Sequence, residues 1–95
     1  MKLLLAIVRD DYAPEVTAAL NQGGLSVTRI SSTGGFWRRG NVTLVLGVED
    51  DQVEKAMEII NQHAGPAIPA QPGQEAHPPR RATIFVLGVE SAHRY

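Results

Sequence analysis

Two successive stretches repeat one order of periodicities, and that order constrains the fold more than any composition value. Residues 2–9, led by Leu3-Leu4-Leu5-Ala6-Ile7-Val8, form a continuous apolar run of strand length, as expected of a strand buried on both faces. Ala13, Val16, Thr17 and Leu20 then recur at helical spacing, with Pro14 in the first turn and Glu15 at the positive end of the helix dipole. Asp10 or Asp11 is the expected cap, and Gly23-Gly24 the expected stop. Residues 25–31 alternate, placing Leu25, Val27 and Arg29 opposite Ser26, Thr28 and Ile30, as in a more exposed strand.

The same order follows again. Asn41 to Val48 reads as a strand, and Asp50 or Asp51 as the cap of a second helix. In that helix Val53, Met57 and Ile60 share a face, with Glu54 and Glu58 pointing away. Ala82 to Val89 closes the pattern as a fourth strand, followed by a short tail. Strand-helix-strand written twice predicts a ferredoxin-like α+β domain, βαββαβ, with two helices on one face of a four-stranded antiparallel sheet. The chain is thus a single domain, 1–95, with a loop at 32–40 between strands 2 and 3. A second loop, 65–79, holds five of the six prolines and precedes strand 4.

Two helices cover only one face of such a sheet. Strand 82–89 presents Ala82, Ile84 and Val86 on one side and Phe85 and Leu87 on the other, so both faces are apolar. Either a partner covers the second face, with self-association the simplest source, or the proline-rich loop folds back over it.

Several function classes drop out. A net charge of −1 and a pI near 6.3 argue against a general nucleic-acid binder. With no cysteine there is no disulfide, thiolate zinc site or cysteine nucleophile. The first apolar run ends at Arg9-Asp10-Asp11, far short of a membrane span, and lacks a signal-cleavage pattern, so a soluble cytoplasmic protein is expected. Asp10, Asp11 and Glu15, like Glu49, Asp50 and Asp51, read as helix-start charge rather than a metal cluster. His63, His77 and His93 lack ligand spacing, so no metal is expected. Ser31, Ser32 and Thr33 have no evident base, and no cofactor or enzymatic activity is expected.

The run Thr33-Gly34-Gly35-Phe36-Trp37-Arg38-Arg39-Gly40-Asn41 is different. Its glycines admit close approach to main-chain N–H groups, its aromatics offer faces for stacking, and its arginines offer delocalised charge. Adjacent Phe36 and Trp37 cannot both point inward from an extended segment. The competing reading is a hairpin whose aromatics pack on the sheet edge. Stacking, guanidinium charge and free backbone N–H groups together fit a nucleotide best. No Walker sequence is present. Pro78-Pro79-Arg80-Arg81 adds charge before strand 4, either solvated or facing an anion.

These residues carry a resemblance. Met1-Lys2-Leu3 through Ile7-Val8, Thr28-Arg29-Ile30, Ser32-Thr33-Gly34-Gly35-Phe36 with Gly40-Asn41 and Thr43 resemble the PII-like cyclic-di-AMP receptors. So do Gly47-Val48, Asp50-Asp51, Ala82-Thr83-Ile84-Phe85-Val86 and His93-Arg94-Tyr95, and the similarity spans nearly the whole chain. The resemblance implies a bacterial homotrimeric signal receptor, not a catalyst. It implies cyclic-di-AMP bound in clefts between subunits, loops that rearrange, and an unknown downstream protein. It places Thr28, Phe36, Trp37, Asn41 and Gly47 at one wall of the cleft, with Phe85 and Arg94 from the final segment. Thr33, Gly34, Gly35 and Arg38 complete the expected ligand contacts. The chain departs from the family pattern in carrying Gly24 and Ser26 where an Asn and an Arg are usual, in a shorter second loop, and in Arg94 where a Gln is common. The first departure implies weaker cyclic-di-AMP binding or a different small anion.

Overall fold

The computed structural model describes residues 1–30, 40–67 and 80–95. Four strands and two helices follow in the expected order: β1 (Lys2–Arg9), α1 (Ala13–Gln22), β2 (Thr28–Ile30), β3 (Asn41–Val48), α2 (Val53–His63) and β4 (Ala82–Gly88). The sheet order is β2-β3-β1-β4, and every neighbouring pair is antiparallel. This is the ferredoxin-like α+β arrangement: the two strand-helix-strand units interleave, so β1 and β3 become the central strands.

Register fixes the faces. Leu4, Ala6 and Val8 of β1 stand opposite Leu46, Leu44 and Val42 of β3, and all six are buried. Across an antiparallel pair, facing residues share a side of the sheet. Val16 and Leu20 of α1, with Ala56 and Ile60 of α2, close over that side as one core. Ala82 and Ile84 of β4 pack against its edge.

Several expectations need correction. β1 is not buried on both faces, because Leu3, Leu5 and Ile7 remain only half-buried where no second layer among the described residues covers them. β2 (Thr28–Ile30) starts three residues later than expected, because Leu25 serves the end of α1 instead, and Ser31 lies outside the described residues. There Gly24 takes a left-handed backbone (φ +84°), its N–H donates to the Asn21 carbonyl, and Leu25 N–H donates to the Leu20 carbonyl (both 3.0 Å). That pair of bonds is a Schellman cap, and buried Leu25 and Leu20 provide its apolar contact.

Neither helix is capped by the expected aspartates. Asp10–Tyr12 and Asp50–Gln52 each form a 3-10 turn ahead of the helix, and no side chain caps α1 or α2 directly. The turns extend the helical path and take up donors that a cap would otherwise satisfy. At the second turn Gln52 N–H donates to the Glu49 carbonyl (2.9 Å), and Glu49 N–H donates back to Gln52 Oε1 (3.4 Å). On α2, Ala56 and Ile60 are buried while Met57 is exposed, so the seam runs one residue from the expected stripe. Small residues permit the close helix approach. A side chain at Gly23 would meet Ile59 Cδ1 at 3.0 Å. Lys55 Nζ also reaches across to donate to the Gly23 carbonyl (2.7 Å), satisfying the C-terminal end of α1.

Candidate ligand-binding face

The face of the sheet turned away from the helices collects the candidate residues. Thr28 stands opposite Val45, Val45 opposite Leu5, and Leu5 opposite Phe85, making one row across all four strands. A second row joins Gly47, Leu3 and Leu87, and a third joins Ile30, Thr43, Ile7 and Thr83. Asn41 faces Arg9 at the end of β1. Thr28, Asn41, Gly47 and Phe85 therefore share one side by strand alternation.

They do not share one pocket within a single chain. Thr28 and Phe85 are three strand steps apart, about 14 Å at the usual spacing, and Asn41 and Gly47 are about 20 Å apart along β3. Arg94 lies in the exposed tail beyond β4. Thr33, Gly34, Gly35, Phe36, Trp37 and Arg38 lie outside the described residues.

This face is rich in exposed apolar surface. Ile30, Phe85 and Leu87 are 49, 51 and 44% exposed, and Thr43 among them is nearly buried by its neighbours. Exposed aromatic and branched side chains gathered on one face of a sheet mark a surface for contact with another molecule.

Charge is segregated along the sequence. The helix-bearing segments 10–23 and 49–63 hold eight of the ten acidic residues but only one of the nine lysines and arginines, Lys55. The near-zero net charge thus conceals acidic helix-bearing segments and a cationic remainder of the sequence. At one acidic turn, the Met1 ammonium lies 3.0 Å from Asp50 Oδ1. Its hydrogen bond and charge, with a smaller contribution from Lys2, hold the Asp50 carboxyl below its ordinary value of 3.8.

A cluster that sequence reasoning missed sits where both connections begin. Arg9 donates to the carbonyls of Ala64 (3.0 Å) and Pro66 (2.9 Å), and its guanidinium lies 4.6 Å over the Tyr12 ring. Its Nε is buried with no partner among the described residues. Arg81 donates to Gly65 O (2.7 Å), to Asn61 Oδ1 (2.9 Å) and to Asn61 O. These bonds satisfy orphan carbonyls at the end of α2 with positive charge where the helix dipole favours it. Arg81 is thus neither simply solvated nor free for an anion, whereas Arg80 is exposed. The sequence signal was a cation bordering an apolar run, Arg9 as the last residue of β1 and Arg81 just before β4.

Among the described residues no three His, Asp or Glu side chains converge as a metal site requires. His63 Nδ1 instead lies 3.6 Å from Glu15 Oε2, joining the two helices. No helix among the described residues is long and apolar enough to cross a membrane.

Comparison with known proteins agrees with this geometry. The crystal structure of a functionally unknown protein from Pediococcus pentosaceus ATCC 25745 is 29% identical, with a TM-score of 0.75. The match covers 99% of this chain and 96% of that one. Residues 1–67, which include β1 to β3 and both helices, match the family described as cyclic-di-AMP receptor. Spanning well over half its length, that match shows that the chain belongs to the cyclic-di-AMP receptor family.

Proposed function

We propose that the chain is a PII-like signal receptor that assembles as a homotrimer and takes cyclic-di-AMP in the clefts between subunits. Binding would rearrange the loops and so alter contact with a downstream protein in the cytoplasm. It acts as a receptor rather than a catalyst. Family membership supports the nucleotide-binding role. The observation that carries the cleft is the one-sided spread of Thr28, Asn41, Gly47 and Phe85. Residues on one face, yet too far apart for one small ligand within a chain, fit a site assembled where two copies meet.

In such a cleft each group has a chemical task. Phe85 offers an exposed ring for stacking on a base. The Asn41 amide and Thr28 hydroxyl supply hydrogen bonds to a base edge or phosphate. At Gly47 a side chain would meet nothing within 4 Å in the isolated chain, which leaves room for a ligand or partner. Thr33 to Arg38 would add backbone N–H groups, Phe36 or Trp37 stacking, and charge, while Arg94 comes from the tail. The exposed side chains of Ile30, Phe85 and Leu87, one from each of the three rows, provide the apolar surface for trimer contact.

A second reading keeps the trimer and changes the ligand to another adenine nucleotide or anion. Gly24 and Ser26 favour it, because the family's usual Asn and Arg would contribute polar contacts there. Losing two hydrogen bonds that involve charge, each about 1.5–3 kcal/mol, weakens binding by more than about a hundredfold. The test is calorimetric titration with cyclic-di-AMP, ATP and ADP, beside light scattering for the assembly. Heat with cyclic-di-AMP supports the first reading, and heat with ATP or ADP alone supports the second. No heat with any of them, on a well-folded trimer, would leave a protein-interaction module.

Gly24→Asn with Ser26→Arg sharpens the choice. At φ +84° any side chain strains the Gly24 backbone, Asn least among them, and a Cβ there would meet nothing within 4 Å. The double variant should bind cyclic-di-AMP more tightly if these positions face it.

A further inference from the structure

Arg9 and Asp10 are consecutive, yet they hold the bases of two different connections. Asp10 N–H donates to the Gly40 carbonyl just before β3, and Asp10 Oδ1 pairs with Arg29 of β2 at 2.9 Å. Asp10 therefore grips both sides of the β2–β3 mouth. Arg9 grips the exit of α2 through Ala64 and Pro66. Arg81, just ahead of β4, holds the intervening Gly65.

The α2 side of this grip has little slack. One planar guanidinium spans two carbonyls while stacked on Tyr12, so its position is fixed from three directions. Gly65 has φ +92°, and a Cβ there would overlap Arg9 and come within 2.6 Å of the Tyr12 ring. The exit of α2 is thus seated against the Arg9–Tyr12 pair without space for an added methyl. Close-packed groups move together rather than deform singly.

We propose that Arg9 and Asp10 form a joint through which the β2–β3 mouth and the exit of α2 move together. A ligand bound beside Asn41 is then felt at Ala64–Pro66. The coupling arm rests on the receptor reading above, but the joint itself does not need a ligand. Arg9 is here a positioning residue, acting through the main chain it holds. The Arg29–Asp10 pair is half-exposed on both sides, so its effect lies in alignment more than in stability.

Amide hydrogen exchange of the full chain tests the joint. Arg29→Gln should raise exchange in the last turn of α2, residues 61–64, although among the described residues Arg29 bonds and pairs with Asp10 and not with that turn. The expected rise is about twofold to fivefold, the range that an exposed ion pair is worth. In an Arg9→Met background, which keeps a long side chain but has no donor for either carbonyl, the same substitution should leave residues 61–64 unchanged. Equal exchange in wild type and Arg29→Gln overturns the joint, as does an equal rise in both backgrounds. With cyclic-di-AMP added, binding by calorimetry should change exchange at residues 61–64 by linkage. Binding without that change overturns the coupling and leaves the receptor reading intact. Absence of binding overturns the receptor reading for cyclic-di-AMP, and the Arg29→Gln comparison still decides the joint.

Discussion

Along β1, residues one position apart meet different surroundings. Leu4, Ala6 and Val8 are sealed beneath the helices, whereas Leu3, Leu5 and Ile7 lie on a side with no second layer among the described residues. The two sets are equally apolar, so hydrophobicity alone does not separate a core face from an assembly face. What separates them is whether the same chain supplies a cover. Here the helices supply one for a single side, and the other side keeps Phe85, Leu87 and Ile30 exposed.

The largest expected effect probes the sealed side. Leu44→Ala removes a fully buried side chain facing Ala6 in the sheet centre. It should cost about 2–5 kcal/mol in denaturant unfolding. A loss under about 1 kcal/mol would place Leu44 outside the core and break the contrast. On the open side, Phe85→Glu should change stability of the isolated chain by no more than about 0.5 kcal/mol, since the side chain is half-exposed. The same substitution should lower the assembly state in light scattering. An unchanged assembly would remove this row from any interface.

The smallest effect lies at the end of the sheet. The Asp50 carboxyl is held below its ordinary value of 3.8 by the Met1 ammonium. A group with a depressed folded pKa stabilises above its unfolded value, and that contribution disappears as pH falls through the lowered one. Asp50→Asn should therefore be slightly less stable than wild type near neutrality and equal to it in strong acid. Thermal melts across that range check the sign. A gap that persists undiminished in strong acid would assign the effect to something other than this ion pair.

The long apolar runs made much of the fold legible. β1 and β3 end where their sequence patterns end, and Gly23-Gly24 stops α1 as expected. Competition between local signals hid other features. Leu25 looked like strand and instead anchors a helix cap, while the aspartates looked like caps and instead form turns. Met57 lost the α2 seam to Ala56, because close approach rewards a small residue and sequence periodicity rewards a large one. At the site, the glycine-aromatic run was legible as chemistry, and its residues 33–38 lie outside the described structure. The row from Thr28 to Phe85 was not legible. It depends on strand pairings between segments far apart in sequence, as do the carbonyls held by Arg9 and Arg81.

The central place of β1 has a kinetic consequence. The first strand to leave the ribosome pairs with β3 and with β4, the last of the four to be made. Its sealed side meets α1 next in sequence, but its pairing with β4 waits for the last strand. Such distant pairing should make folding slower than in a helical bundle of equal length. Lengthening the connection before β4 delays that encounter little, because each doubling of a flexible loop adds only about 0.6 kcal/mol of closure entropy.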